Sequence, residues 1–136
     1  MKSHIFRFLL LSVLVLGCDR DKKSDCKNAF CTDEFRSIGV SVKHVSDSSA
    51  VILTTFKVIR VSDNKDISPG YSIIPEKYGY YLLVDDTDVG MLSNNDVEIE
   101  FQGYIDNDLL IKSRFVVTAD CCHVSLVSGE QVIYIK

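Results

Sequence analysis

From 36 to 43 the chain places Ile38, Val40 and Val42 on one parity and Ser37, Gly39, Ser41 and Lys43 on the other, the period of a half-buried β-strand. Val97, Ile99 and Phe101 alternate with Glu98, Glu100 and Gln102 in the same way, which predicts a second strand with one buried and one wet face. β-Branched and aromatic runs over 50–61, 79–85, 109–118, 123–127 and 131–135 predict five more, with 71–74 as a candidate eighth. The segments between them carry turn chemistry: Ser, Asp, Asn, Gly and Pro cluster over 46–49, 63–66, 68–70, 85–88, 93–96, 106–108 and 128–130. Asp106-Asn107-Asp108 and Ser128-Gly129 have the composition of hairpin loops. After the first 17 residues no window holds an apolar stripe of helical period, and without crossover helices a parallel sheet is disfavoured. The prediction is an all-β fold, an antiparallel sandwich of about seven strands over 29–136.

The first 17 residues follow another logic. A basic start with Lys2 and Arg7 leads into an apolar run over 8–16, too short for the roughly 20 helical residues a bilayer span needs. This is the layout of a cleaved signal peptide. Leu14-Val15-Leu16-Gly17-Cys18 resembles the bacterial lipobox, which implies cleavage before Cys18, acylation of that cysteine and anchoring in a membrane of the cell envelope. Residues 18–28 are then a lipidated cysteine and a charged, flexible tether.

The middle of the chain resembles the immunoglobulin-like or transthyretin-like domains grouped as carboxypeptidase regulatory-like, common in Bacteroidota lipoproteins. The matching outline is Ile38-Gly39-Val40-Ser41-Val42, the turn at Asp47, the run over 51–61, and Tyr78-Gly79-Tyr80-Tyr81-Leu82-Leu83. The resemblance implies a noncatalytic module and names no catalytic residue.

Composition narrows the partners. The 136 residues carry 15 Lys and Arg against 19 Asp and Glu, a formal charge of -4 with no basic block, so nucleic acid is excluded as a partner. Loss of residues 1–17 takes away Lys2 and Arg7 and brings the charge to -6. Anionic headgroups repel such a surface, so attachment must come from acyl chains, each buried CH₂ contributing about 0.8 kcal/mol. The outer membrane is the expected location.

Cysteine is the most informative chemistry. Of the 5 cysteines, lipidation of Cys18 leaves Cys26, Cys31, Cys121 and Cys122. In an exported protein four cysteines imply two disulfides. Cys121 and Cys122 are adjacent and would close a strained ring with each other, so each is expected to pair with one of Cys26 and Cys31, the connectivity remaining open. The alternative is a soft-metal site or a redox-active thiol pair using the Cys121-Cys122-His123 cluster. On a strand over 120–127, Cys122 points inward while Cys121 and His123 face solvent, so this triplet converges only across a bulge.

The remaining chemistry is thin. Asp85, Asp86 and Asp88 lack the spacing of an EF-hand and are expected to be solvated turn residues. Tyr71, Tyr78, Tyr80 and Tyr81 lie within eleven residues beside Pro69-Gly70 and Pro75, and Tyr71, Tyr78 and Tyr80 are the candidate ligand-contacting residues. Tyr80 and Tyr81 have opposite parity, so at least one belongs to the core. His44, at the end of the first strand, and His123 are the only histidines after His4, and there is no phosphate loop, His-Glu-x-x-His or nucleophile elbow. The expected protein has no catalytic residue, metal or cofactor, and binds an envelope protein or glycan.

Overall fold

The computed structural model describes residues 26–71 and 78–136 and is an all-β sandwich. Cys18, the signal sequence and residues 72–74 of the candidate eighth strand lie outside the described residues. One sheet has the order β4-β1-β8, with β1 at Ser37–His44, β4 at Tyr80–Asp85 and β8 at Val132–Ile135. The other has the order β3-β2-β5-β6-β7, with β2 at Thr55–Arg60, β3 at Lys65–Asp66, β5 at Val97–Ile105, β6 at Asp108–Ala119 and β7 at Val124–Ser128. Among the described residues the eighth strand is the two-residue β3. One short helix, α1 (Val89–Leu92), and a 3-10 turn at Asp86–Asp88 occupy the connection after β4.

The alternation that predicts the strands also builds the core. Ile38, Val40 and Val42 from β1 face Val58, Ile99, Phe101, Phe115 and Val117 from the other sheet, all buried. Tyr81, Phe56 and Phe101 pack ring to ring, with centroids 5.3 to 5.9 Å apart. The Tyr81 hydroxyl donates to the carbonyl of Val51 at 2.8 Å and accepts the N–H of Leu53 at 2.7 Å. That pair of bonds fixes the crossing of the chain from one sheet to the other.

The crossing corrects the single strand predicted over 50–61. Ala50 makes only an isolated bridge to Lys43, and β2 begins at Thr55. Val51 and Leu53 are buried on odd positions whereas Phe56 and Val58 turn inward on even ones, so the inward parity slips as the chain changes sheet.

Two more expectations change. β1 and β8 pair in parallel while every other strand pair among the described residues is antiparallel. Ser128-Gly129 does not close a hairpin, because β7 and β8 belong to different sheets. Asp106-Asn107 does: both residues have positive φ, 48° and 74°, as a two-residue loop matched to strand twist requires. The face of β5 expected to be wet is not uniformly so. Glu100 is buried there, covered by Lys112 at 3.2 Å and Arg114 at 3.6 Å and bonded by Gln102 at 2.7 Å.

Candidate functional site

The cysteines form two bridges, Cys26–Cys121 and Cys31–Cys122, each with 5.3 Å between its Cα atoms. Residues 26–36 are an exposed strap with one 3-10 turn, Cys26–Asn28, and the bridges sew it to the end of the sandwich where β6 passes into β7. Residues 26–28, assigned from sequence to the flexible tether, are thus the clamped end of the strap.

Asp120 shapes the receiving side. Its carboxylate Oδ1 accepts the N–H groups of Cys122 at 2.7 Å and His123 at 2.8 Å, and its own N–H donates to the His123 carbonyl at 3.1 Å. These bonds make 120–123 a tight turn instead of the first half of a strand. The alternating orientation expected for Cys121, Cys122 and His123 therefore does not hold: both sulfurs are bonded to the strap, and the imidazole turns into the protein.

His123 is buried, 8% exposed, which corrects the solvent-facing position expected for it. Its Nδ1 lies 2.8 Å from Asp86 Oδ2 and its Nε2 lies 3.0 Å from the hydroxyl of Thr32 on the strap. Asp86 sits in the 3-10 turn after β4 and is gripped by backbone: the Arg36 N–H donates to Oδ2 at 2.7 Å and the Val124 N–H to Oδ1 at 2.9 Å. The Asp86 N–H returns a bond to the Arg36 carbonyl at 3.1 Å. Burial alone would raise the Asp86 pKa, but the bonds from Arg36, His123 and Val124 bring it below the ordinary value. Asp120 is lowered by the Cys122 and His123 N–H groups.

The direction of the bonds follows. An ionised carboxylate only accepts, so the His123 proton rests on Nδ1 and is donated to Asp86. In the neutral ring Nε2 is then the acceptor, and the Thr32 hydroxyl donates to it. Thr32 is exposed, His123 buried and Asp86 fixed by main chain, which gives an ordered series of hydroxyl, base and acid. Sequence reasoning assigns neither Thr32 nor Asp86 to a site. The available signal is adjacency to the cysteines: Thr32 follows Cys31 and His123 follows Cys122, so a Cys31–Cys122 bridge brings the pair together.

The tyrosines separate. Tyr81 is core. Tyr80 lies against β1, where its ring covers Gly39 so closely that a Cβ there would fall 2.3 Å from Tyr80 Cζ. Tyr71, 50% exposed, donates its hydroxyl to Asp85 at the end of β4, and Tyr78, 61% exposed, precedes the strand's beginning. Tyr71 and Tyr78 thus flank opposite ends of β4. The acids of 85–88 are also committed within the fold: Asp85 accepts the Thr87 N–H at 2.8 Å, and Asp88 accepts the Asp85 N–H at 3.1 Å. An open hollow of about 540 Å³ between Arg60, Asp63, Met91, Asn95, Asp96 and Glu98 includes no member of the Thr32-His123-Asp86 series.

Comparison with protein-family profiles, with curated proteins and with solved structures returned no match.

Proposed function

We propose that this chain is a noncatalytic, lipid-anchored module of the bacterial cell envelope, of the small Bacteroidota lipoprotein type, held in the outer membrane by acyl chains on Cys18. The observation that supports this reading most directly is the double clamp at Cys26 and Cys31, immediately downstream of the lipobox-like cysteine. Cys26 lies eight positions after Cys18 in sequence, a span of at most about 28 Å when extended. A lipid on Cys18 would therefore keep the clamped end of the sandwich close to the bilayer. β6 runs from the hairpin at Asp106-Asn107 toward the clamp over twelve residues, about 36 Å, so the hairpin end would face away from the membrane.

In this reading the partner is an envelope protein or glycan, and the residues of this chain that would contact it are Tyr71, Tyr78 and Tyr80, of which Tyr71 and Tyr78 lie at opposite ends of β4. Aromatic contact area with a polar tip suits either partner class. The runner-up, a thiol-redox or metal-handling protein, shares the same four cysteines and is separated from the module by thiol counting.

Detergent phase partition of the full chain tests the anchor. The wild type should enter the detergent phase with an acylated N-terminal Cys18, and Cys18→Ser should move to the aqueous phase. An unmodified N-terminus at Asp19 or later would overturn the reading. Two to four reactive thiols in protein denatured without reductant would favour the runner-up, and none would favour the module.

A further inference from the structure

We infer that Thr32 is an activated hydroxyl, a covalent acceptor for acyl groups delivered as activated carboxylic esters or thioesters. The inference is independent of the lipid anchor and rests on the order and burial of three side chains. A threonine hydroxyl is weakly nucleophilic unless a base takes its proton as the new bond forms, and a base works best when a third group fixes its ring and tautomer. Here the hydroxyl oxygen is 3.0 Å from His123 Nε2, and the opposite ring nitrogen is 2.8 Å from Asp86 Oδ2. Asp86 is itself held by the N–H groups of Arg36 and Val124, so the carboxylate keeps its aim at the imidazole.

A purely mechanical role accounts poorly for this arrangement. The strap is already tied covalently on the residue before Thr32, through Cys31–Cys122, and again through Cys26–Cys121. A single hydroxyl on an exposed residue adds little to that attachment, since a neutral hydrogen bond is weak beside two covalent bridges. What the bridges accomplish is placement: Cys31 holds Thr32, and Cys122 holds His123, each by the neighbouring residue. Thr32 is an exposed residue at the protein surface while the base it meets is buried, an arrangement that suits a reacting group.

In the reaction, Thr32 Oγ1 attacks the acyl carbon while its proton passes to His123 Nε2. The bond from the acyl carbon to the leaving oxygen or sulfur then breaks, and the imidazolium returns the proton to that leaving group. The products are an ester on Thr32 and a free alcohol or thiol, with no oxidation or reduction. Thr32 and His123 are the reacting groups and Asp86 is a positioning residue.

p-Nitrophenyl acetate is the probe. The oxidised full chain should release one equivalent of p-nitrophenolate in a burst, and peptide mapping should find one acetyl group on Thr32. Thr32→Ala should lose the burst, and Thr32→Ser should retain or accelerate it because a primary hydroxyl is less hindered. His123→Gln, with its fold verified by thermal melting, should slow labelling by at least about 100-fold, the usual contribution of a positioned base. Absence of an adduct, an adduct on another residue, or a burst that survives Thr32→Ala would overturn the inference. Should His123→Gln not fold, the Thr32 variants and the wild-type adduct map decide the matter alone.

Discussion

The two disulfides share nearly the same loop, so removing them should be strongly non-additive. Cys26–Cys121 spans 95 residues and Cys31–Cys122 spans 91. Either bridge alone, closing a loop of that length, stabilises by about 4.7 kcal/mol in the chain-entropy treatment. With one bridge in place, the other closes only the small ring formed by 26–31 and 121–122, eight residues in all, which corresponds to about 2.5 kcal/mol. Replacing Cys26 and Cys121 by Ser, or Cys31 and Cys122 by Ser, should therefore cost about 2.5 kcal/mol each. Replacing all four should cost about 7 kcal/mol, some 2 kcal/mol more than the two pairs added together. Since small domains have only about 5–15 kcal/mol of stability, the first two variants should fold and the third should be at or near unfolding. Urea denaturation without reductant measures all three, and the slope should rise most in the four-serine variant as the denatured chain loses its crosslinks. Additive losses of about 4.7 kcal/mol per bridge would refute the shared-loop argument.

Tyr81→Phe removes a buried hydroxyl that serves both the Val51 carbonyl and the Leu53 N–H, and should cost about 1–3 kcal/mol in urea unfolding; an unchanged midpoint would mean both groups find other partners. Gly129 has φ of 126°, and a Cβ there would lie 2.3 Å from Phe115 Cδ1, so Gly129→Ala should lower the melting temperature, whereas a neutral result would show that the connection at Gly129 can move away from Phe115. Asp86 and Asp120 have depressed pKa values in the folded state, so the stability they contribute is present above the unfolded carboxylate value and is lost as pH falls through the folded one. Melting temperature should thus decline below about pH 4, less steeply in Asp120→Asn; Asp88, raised by burial, acts in the opposite sense, and an identical acid limb in the variant would remove Asp120 from the explanation.

Most strands are legible because their causes are local. The alternation of Ile38, Val40 and Val42 and of Val97, Ile99 and Phe101 encodes a face, and the run over 109–118 lies within the observed Asp108–Ala119. The parity slip between Leu53 and Phe56 is also in the sequence, but two consecutive threonines with β propensity mask it. What alternation does not carry is partner choice. Ser128-Gly129 has the composition of a hairpin loop, yet the strands on either side join different sheets, and the parallel pairing of β8 with β1 depends on residues about 90 positions apart. Glu100 follows the same principle: its alternation places it outward, while Lys112 and Arg114, which cover it, come from the next strand.

The site illustrates the difference more sharply. Thr32 and His123 are 91 positions apart, and His123 and Asp86 are 37 apart. Nothing near Thr32 distinguishes it from other polar residues of the strap, and Asp86 stands between two other acids of similar turn propensity. The cysteines do contain the first half of the information. Of the two pairings that join the strap to the turn, the observed one sets Cys31 against Cys122, and the next residue on each side then meets its counterpart. Crossed pairing would set Cys31 against Cys121 and shift that correspondence by one residue. The second half, the choice of Asp86 from 85–88, depends on where β4 ends relative to β1. Asp85 caps the turn by accepting the Thr87 N–H, which leaves Asp86 as the acid that reaches the Arg36 and Val124 N–H groups. A disulfide map, together with the end of one strand, is therefore enough to assemble the three side chains, and this is why the bridges matter to the site as much as to stability.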